Sequence, residues 1–229
     1  MSYPGGKGRC FQKIISLMPE HETYIETHLG SGAVMLAKQP AKTNIGIDID
    51  PQVVSSWKTS THTGVDVIQM DALVFLQEHQ FSGRELIYAD PPYMHSTRRR
   101  TSIYRHEYCE QQHVELLDTL KEIDCCIMIS GYRCDLYDDK LSAWHRFDFV
   151  VPTQTGLRQE SVWTNFGVPT SLHDFRYIGE GFREREAIRR RREGILRRIE
   201  RLPAIERNAV IAELASRYDA LRTKAVSSS

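Results

Sequence analysis

With 229 residues, 41% of them hydrophobic, the chain can bury one full α/β core and a small appendage, and its 30 Lys and Arg balance its 30 Asp and Glu. No apolar stretch approaches the roughly 20 residues of a membrane span, and the first residues do not resemble a signal peptide. The nine histidines and five cysteines show no metal-ligand spacing and no Cys-x-x-Cys pair, so we expect no metal, reduced thiols and a cytoplasmic location.

Apolar runs alternate with helical patterns along most of the chain. The patterns predict strands at residues 23–28, 44–48, 65–70, 85–89, 124–130, 145–151 and 160–166. They predict helices at residues 7–18, 32–39, 51–58, 71–79, 110–123 and 132–140. This alternation predicts an α/β fold with a mostly parallel sheet. Because residues 152–156 are too few for a crossover helix, the last two strands should form an antiparallel hairpin at one edge.

The end of the chain differs in charge from the rest. The segment 182–229 is basic, with 13 Lys and Arg against 7 Asp and Glu, whereas the segment 1–181 is acidic, with 17 against 23. We therefore expect three parts: an α/β domain at 1–168, a linker at 169–181, and a basic helical extension at 182–229. The extension should consist of two helices with a break at 202–204.

The first predicted strand opens into a glycine turn. Gly30 and Gly32 permit positive φ and let a ligand approach the backbone closely. The second strand ends in Asp48 and Asp50, at the distance from the glycines where an acid binds the ribose of an adenosine-containing cofactor. The third glycine of the dinucleotide fingerprint is missing, and no Lys-Ser/Thr pair follows. A cofactor without a pyrophosphate fits better than NAD or ATP, and S-adenosylmethionine is such a cofactor.

Residues 90–93, Asp-Pro-Pro-Tyr, follow the apolar run at 85–89. Neither proline can donate to a sheet ladder, so the strand must end here, at the edge where open α/β sheets bind ligands. A carboxylate, rigid carbonyls and an aromatic ring suit the binding of a flat ring that carries an amino group. A proline turn with a capping Asp and a packed Tyr would give the same tetrapeptide.

Over residues 1–168 the order of these motifs resembles the DNA adenine methylases of the Dam-like class. Residues 3–7, Tyr-Pro-Gly-Gly-Lys, resemble the family's N-terminal motif, and the Asp-Pro-Pro-Tyr motif is unaltered. Residues 26–32 resemble the family's Glu-Pro-Phe-x-Gly-x-Gly, with Thr27 and His28 in place of Pro and Phe.

The resemblance implies a Rossmann-like, S-adenosylmethionine-dependent methyltransferase that modifies the exocyclic amino group of a flipped-out adenine. The implied catalytic residues are Asp90, Pro91, Pro92 and Tyr93. The implied cofactor-binding residues are Tyr3, Gly6, Lys7, Glu26, Gly30, Gly32, Asp48, Asp71 and Asp90. Among these, Lys7 would pair with the cofactor's carboxylate. Asp71 would touch its adenine, although a helix N-cap is an equally good interpretation of Asp71.

DNA is the expected partner because basic residues, hydroxyls and tyrosine alternate directly after the Asp-Pro-Pro-Tyr motif. The expected nucleic-acid contacts are Arg98, Arg99, Arg100, Tyr104 and Arg105, with a solvated charged face as the alternative. Only the short segment 72–89 separates Asp71 from Asp90, which leaves no room for the large target-recognition domain of better-known family members. We expect a short or relaxed target sequence.

Three other functions stay open. The same tetrapeptide could serve an RNA adenine methyltransferase, or an enzyme that methylates a glutamine amide of a protein. The chain could also be a catalytically silent nucleic-acid-binding module, although such a module need not retain Asp-Pro-Pro-Tyr.

Overall fold

The computed structural model describes residues 7–8, 10–94, 106–153 and 156–226; at 152–153 and 219–226 it describes the backbone only. The strands are β1 (Thr23–Glu26), β2 (Thr43–Asp48), β3 (Asp66–Gln69), β4 (Glu85–Ala89), β5 (Cys126–Gly131), β6 (His145–Thr153) and β7 (Gly156–Thr164). The helices are α1 (Phe11–Ile15), α2 (Ala33–Ala37), α3 (Pro51–Thr59), α4 (Ala72–Glu78), α5 (Glu110–Glu122), α6 (Asp135–Lys140), α7 (Phe182–Glu200) and α8 (Ala204–Val226).

The seven strands form one sheet in the order β3-β2-β1-β4-β5-β7-β6. All pairs from β3 to β5 are parallel, and β7 runs antiparallel to both of its neighbours. The predicted fold is therefore confirmed, including the edge hairpin. The strand order reverses between β1 and β4, and in open α/β sheets the crevice at the carboxyl ends of such strands receives the ligand.

The centre of the sheet is buried on both faces, as parallel strands are when helices cover them. Leu86, Ile87, Tyr88 and Ala89 of β4 have no exposed surface. Their side chains alternate between two apolar clusters, one on each face of the sheet. This packing fixes the place where β4 ends, and with it the position of Asp90.

The largest differences from the predicted bounds are in the last strand and the first helix. β7 begins at Gly156, ahead of the predicted start at 160, because its pairing with β6 continues to Thr153 opposite Gly156 and overrides the polar sequence there. The first helix covers only Phe11–Ile15 of the predicted 7–18. Cys10 has φ −130°, outside the helical range, so the helix begins after it and leaves Lys7 on the preceding segment.

The chain divides into two compact units, Met1–Tyr177 and Ile178–Ser229. Leu172 pairs with Pro19, and the amide of His173 donates to Met18 at 3.2 Å, so this part of the predicted linker packs on the first unit. The boundary between these two units lies after Tyr177. α7 and α8 make up the second unit, and no helix among the described residues is long and apolar enough to cross a bilayer.

Candidate active site

A cavity that opens to solvent lies at the carboxyl edge of β1, β2 and β4, with about 760 Å³ of empty space including its open mouth. The predicted site residues that line it are Lys7, Glu26, Gly30, Gly32, Asp48, Asp71, Asp90 and Pro92. Pro91 and Tyr93 do not line it. The fold thus brings the three separate sequence motifs to one cavity.

The glycine turn has the geometry that the sequence predicted. Gly30 and Gly32 have φ of 47° and 60°, a left-handed conformation that favours glycine. A Cβ at Gly32 would lie 2.1 Å from Cζ2 of Trp57, so no larger residue fits there. Nε1 of Trp57 donates to the carbonyl of Gly30 at 3.0 Å, and this hydrogen bond holds the turn in place.

Of the two acids after β2, Asp48 lines the cavity. Its carboxylate accepts from the amide of Gly30 at 2.8 Å and from the amide of Asp50 at 2.9 Å. Burial raises the pKa of Asp48, and these two backbone hydrogen bonds oppose the rise. Asp50 is turned to another task, because its side chain caps α3 by accepting from the amide of Gln52. Asp48 is therefore the acid placed to meet a ligand.

Asp71 caps a helix and also lines the cavity. Its Oδ1 accepts from the amides of Leu73 and Val74 at 2.8 and 3.4 Å, which makes it the N-cap of α4. The same residue lines the cavity. One carboxylate can do both, because its second oxygen makes neither of these bonds.

Glu26 is a buried acid in the cavity wall. Burial raises its pKa to about 8, the hydrogen bond that Tyr24 donates to Oε2 at 3.1 Å opposes the rise, and the nearby charge of Asp90 adds to it. At neutral pH the side chain is therefore mostly protonated, and it can donate a hydrogen bond as well as accept one.

Lys7 is buried at the inner end of the cavity. Its ammonium group lies 2.7 Å from Oδ1 of Asp90 and 3.0 Å from Oε1 of Glu160, and it also donates to the hydroxyl of Tyr93. Burial works against its charge, but the attraction of Asp90 and Glu160 outweighs burial and holds the pKa of Lys7 well above its ordinary value. An ammonium group has three N–H donors, and three acceptors surround it. A cofactor carboxylate at Lys7 would have to compete with all three.

Asp90 offers one oxygen to a ligand. Oδ1 receives Lys7 and also the hydroxyl of Ser130 at 2.8 Å, and Ser130 in turn contacts the hydroxyl of Tyr88 at 2.9 Å. Within the described part of the chain, no donor contacts Oδ2. The ion pair thus anchors one side of the carboxylate, and the other oxygen stays available as an acceptor.

Tyr93 is only 8% exposed. Its hydroxyl donates to Oε1 of Glu160 at 2.8 Å, and its ring centroid lies 4.2 Å from that of Tyr132 at an angle of 38°. These contacts hold the ring in one orientation behind Asp90.

Sequence reasoning missed Glu160. This side chain of β7 is 5% exposed; burial raises its pKa, and Lys7 opposes the rise. The signal was the predicted hairpin, because an antiparallel strand beside β5 carries its first residues past the catalytic edge. It was overlooked because a Glu at the start of a strand is typical of a solvent-facing position.

Sequence reasoning also missed the roles of Thr27, His28, His106 and Tyr108, all of which line the cavity. Nδ1 of His28 lies 2.9 Å from the hydroxyl of Thr27, and Nε2 lies 3.1 Å from that of Tyr108. Burial lowers the pKa of His28 to about 3, so the imidazole is neutral. The two departures from the family motif thus tie the glycine turn to the segment that precedes α5.

Seven predicted site residues lie outside the described residues: Tyr3, Gly6, Arg98, Arg99, Arg100, Tyr104 and Arg105. Within the described ranges, no group of three or more His, Cys, Asp or Glu side chains is placed to hold a metal ion.

The sheet, with only β7 reversed, and the glycine turn followed by an acid after β2 define the methyltransferase form of the Rossmann fold. More particularly, residues 3–85 match the family of D12 class N6 adenine-specific DNA methyltransferases. The predicted resemblance to the adenine methylases is thereby confirmed for the part that holds the glycine turn, Asp48 and Asp71. The match ends before Asp90.

Solved structures similar to this chain include several methyltransferases. The N-methyltransferase NodS from Bradyrhizobium japonicum is 13% identical with a TM-score of 0.47, covering 68% of this chain and 93% of NodS. Magnesium protoporphyrin IX methyltransferase from Synechocystis PCC 6803, solved with bound SAM, is 9% identical with a TM-score of 0.46, covering 69% and 79%. The 23S rRNA methyltransferase ErmE is 12% identical with a TM-score of 0.44, covering 76% and 70%. No curated protein sequence matches the chain.

Proposed function

We propose that the protein is a DNA adenine methyltransferase, which transfers a methyl group from S-adenosylmethionine to the exocyclic amino group of a flipped-out adenine. The observation that carries the proposal is the carboxylate of Asp90, which Lys7 and Ser130 anchor through one oxygen while the other stays available at the cavity edge. The family match over residues 3–85 supports adenine in DNA as the substrate.

The residues of the cavity suit the proposed cofactor. Asp48 is a buried acceptor for ribose hydroxyls, and the space that a Cβ at Gly32 would fill is kept clear. Glu26 and Asp71 line the same wall and offer further polar contacts. When bound, S-adenosylmethionine supplies an electrophilic methyl group on a sulfonium.

The chemical step needs an amino nitrogen with an available lone pair. In adenine that lone pair is delocalised into the ring. Oδ2 of Asp90 and the carbonyl of Pro91 can accept hydrogen bonds from the two N–H groups, which favours a pyramidal nitrogen. S-adenosylmethionine would supply the methyl group to this nitrogen, and the carboxylate of Asp90 would receive the proton that the nitrogen gives up. Catalysis is then mainly a matter of positioning and hydrogen bonding.

The amino group cannot be reached inside a duplex, so the nucleotide must leave the base stack. Tyr93 is the aromatic residue of the motif that would contact the flipped base. Its hydroxyl is held by Glu160 and Lys7, so its ring is oriented in advance. Such preorganisation reduces the ordering that base binding requires.

The basic residues would supply the phosphate contacts. The arginines at positions 98, 99, 100 and 105 follow the catalytic turn directly, and α7 carries eight arginines against four glutamates. Since only the short segment 72–89 lies between Asp71 and Asp90, we propose a target of one to three bases around the adenine.

The experiment is incubation of the protein and of Asp90→Ala with tritiated S-adenosylmethionine and DNA, RNA or protein, followed by nucleoside and amino-acid analysis. We expect label in N6-methyladenine from DNA with the wild type and none with the variant. Label confined to RNA or to a glutamine amide would replace the proposed substrate. Absence of label in all three would favour a silent binding module.

A further inference from the structure

The first half of β7 projects past the catalytic edge of the sheet. β5 pairs with β7 only as far as Gly131 opposite Ser161, and residues 156–160 pair with β6 alone. Because side chains alternate along a strand, Arg158 lies on the same face as Glu160. β7 therefore carries Arg158 outward from the buried cluster of Lys7, Asp90, Tyr93 and Glu160.

Tyr132, the first residue after β5, contacts Arg158. Its hydroxyl accepts from Nη1 of Arg158 at 3.2 Å, and the guanidinium carbon lies 5.3 Å from its ring centroid. Its ring packs against Tyr93 at 4.2 Å, and unlike Tyr93 it is half-buried rather than buried. The ring of Tyr132 is thus packed against Tyr93, and its hydroxyl is hydrogen-bonded to Arg158.

The guanidinium of Arg158 differs from those of Arg133 and Arg146 in its ion-pair partners. Among the residues that the structure describes, no carboxylate lies within ion-pair distance of it. By contrast, Arg133 and Arg146 pair with Asp138 at 2.6 and 2.8 Å. A guanidinium has five N–H donors, so Arg158 can still bind an anion while it holds Tyr132.

We propose that Tyr132 and Arg158 form a nucleotide-binding pair for the nucleotide that flanks the target adenine, with the base on the ring and the phosphate on the guanidinium. The assignment rests on the proposed function. Successive bases of unstacked DNA stack on neighbouring aromatic side chains, and Tyr132 is the neighbour of Tyr93. Arginine beside the ring completes the combination of stacking and phosphate contact that such strands require.

The test measures binding of a fluorescently labelled DNA duplex by anisotropy at several salt concentrations, and KM and kcat for methyl transfer to DNA. Tyr132→Ala should weaken DNA binding about 5- to 150-fold, the range of one stacked base. Arg158→Gln should weaken it and reduce the slope of log K against log salt by about 1, because one phosphate contact is lost. Both changes should appear in KM rather than kcat.

The control is Arg84→Gln, which removes the same charge from an exposed position just before β4, at the amino-terminal edge of the sheet. It should bind DNA within about twofold of the wild type. Neither Tyr132 nor Arg158 lines the cavity, so S-adenosylmethionine affinity by calorimetry should be unchanged and also reports that the variants are folded. Tyr132→Phe keeps the ring but loses the hydroxyl, and its DNA affinity should lie between those of the wild type and Arg158→Gln.

Two outcomes would overturn the assignment: an Arg158→Gln variant with the wild-type salt slope, or a folded Tyr132→Ala variant with wild-type DNA affinity. A wild-type protein that neither binds nor methylates DNA would instead contradict the proposed function. The two failures are distinguishable because the first requires an active wild type.

Discussion

The ammonium group of Lys7 lies 2.7 Å from Oδ1 of Asp90, and both side chains are largely buried, at 5% and 17% exposure. The two residues are far apart in the sequence, so the contact joins the N-terminal motif to the Asp-Pro-Pro-Tyr turn. A buried ion pair that loses one partner leaves the other charge uncompensated, at a cost of about 3–5 kcal/mol. The pair therefore couples the geometry of the site to the stability of the fold.

The first prediction concerns the cofactor. Asp48→Ala should weaken S-adenosylmethionine binding by about 1.5–3 kcal/mol, because two ribose hydroxyls lose a charged acceptor. Calorimetry on the folded variant measures it. Asp50→Ala is the matched control: it removes the cap of α3 and should lower stability by about 0.5–2 kcal/mol with cofactor affinity kept. Equal affinities for Asp48→Ala and the wild type would place the ribose elsewhere.

The second prediction separates chemistry from binding. Asp90→Ala should abolish methyl transfer in single-turnover assays and leave DNA binding largely intact, because Oδ2 acts on the amino group in the transition state. Lys7 keeps Glu160 as an acidic partner at 3.0 Å, so the variant should fold. Substantial turnover on DNA by this variant would rule out the proposed mechanism.

The third prediction concerns Glu160 as a positioning residue. Glu160→Gln makes the acceptor of the hydrogen bond between the two side chains neutral, and Tyr93→Phe removes its donor; each should lower kcat about tenfold with cofactor affinity kept. Because they disturb one contact, the double variant should be little worse than either single one, with a coupling of about 0.5–3 kcal/mol. Strictly additive losses would show that Glu160 and Tyr93 act independently.

The fourth prediction concerns pH. Burial raises the pKa of Glu26 to about 8 from an ordinary value of 4.5, so the folded protein keeps a proton that the unfolded chain releases. The contribution of Glu26 to stability should therefore be full below about pH 4.5 and fall by up to about 1.4 kcal/mol per pH unit toward pH 8.

The measurement for this prediction is the urea midpoint from pH 5 to 8, compared with Glu26→Gln, which is neutral throughout. The wild type should lose stability relative to the variant as pH rises. Glu122→Gln, at an exposed position, is the control. A constant difference between wild type and Glu26→Gln across this range would refute the raised pKa.

The fifth prediction concerns specificity. Neutralising Arg98, Arg99, Arg100 or Arg105 singly should weaken methylation uniformly across sequences and flatten its salt dependence, as loss of a phosphate contact does. Truncation after Gly181 should raise the DNA concentration required without changing the target site. Sequencing of methylated genomic DNA measures the target site in each case. A strictly defined target of five or more bases would show that these segments read bases directly.

The sequence by itself determined the class of fold, the glycine turn and the acids that end the strands. These features depend on local physical chemistry: apolar runs that form buried strands, the positive φ that glycine allows, and prolines that stop a strand. The order of the motifs along the chain then sufficed for the family resemblance, because consecutive parallel strands bring their carboxyl ends to one edge.

Only the tertiary structure decided which side chains meet at that edge. The antiparallel register of β7 brings Glu160 to Lys7 and Tyr93, and Arg158 to Tyr132, and such pairing depends on residues far apart in the chain. It also decided that Asp48 lines the cavity while Asp50 caps a helix. Asp48 is the last residue of β2 and Asp50 lies two residues further on, so the direction in which the chain turns after β2 separates their roles.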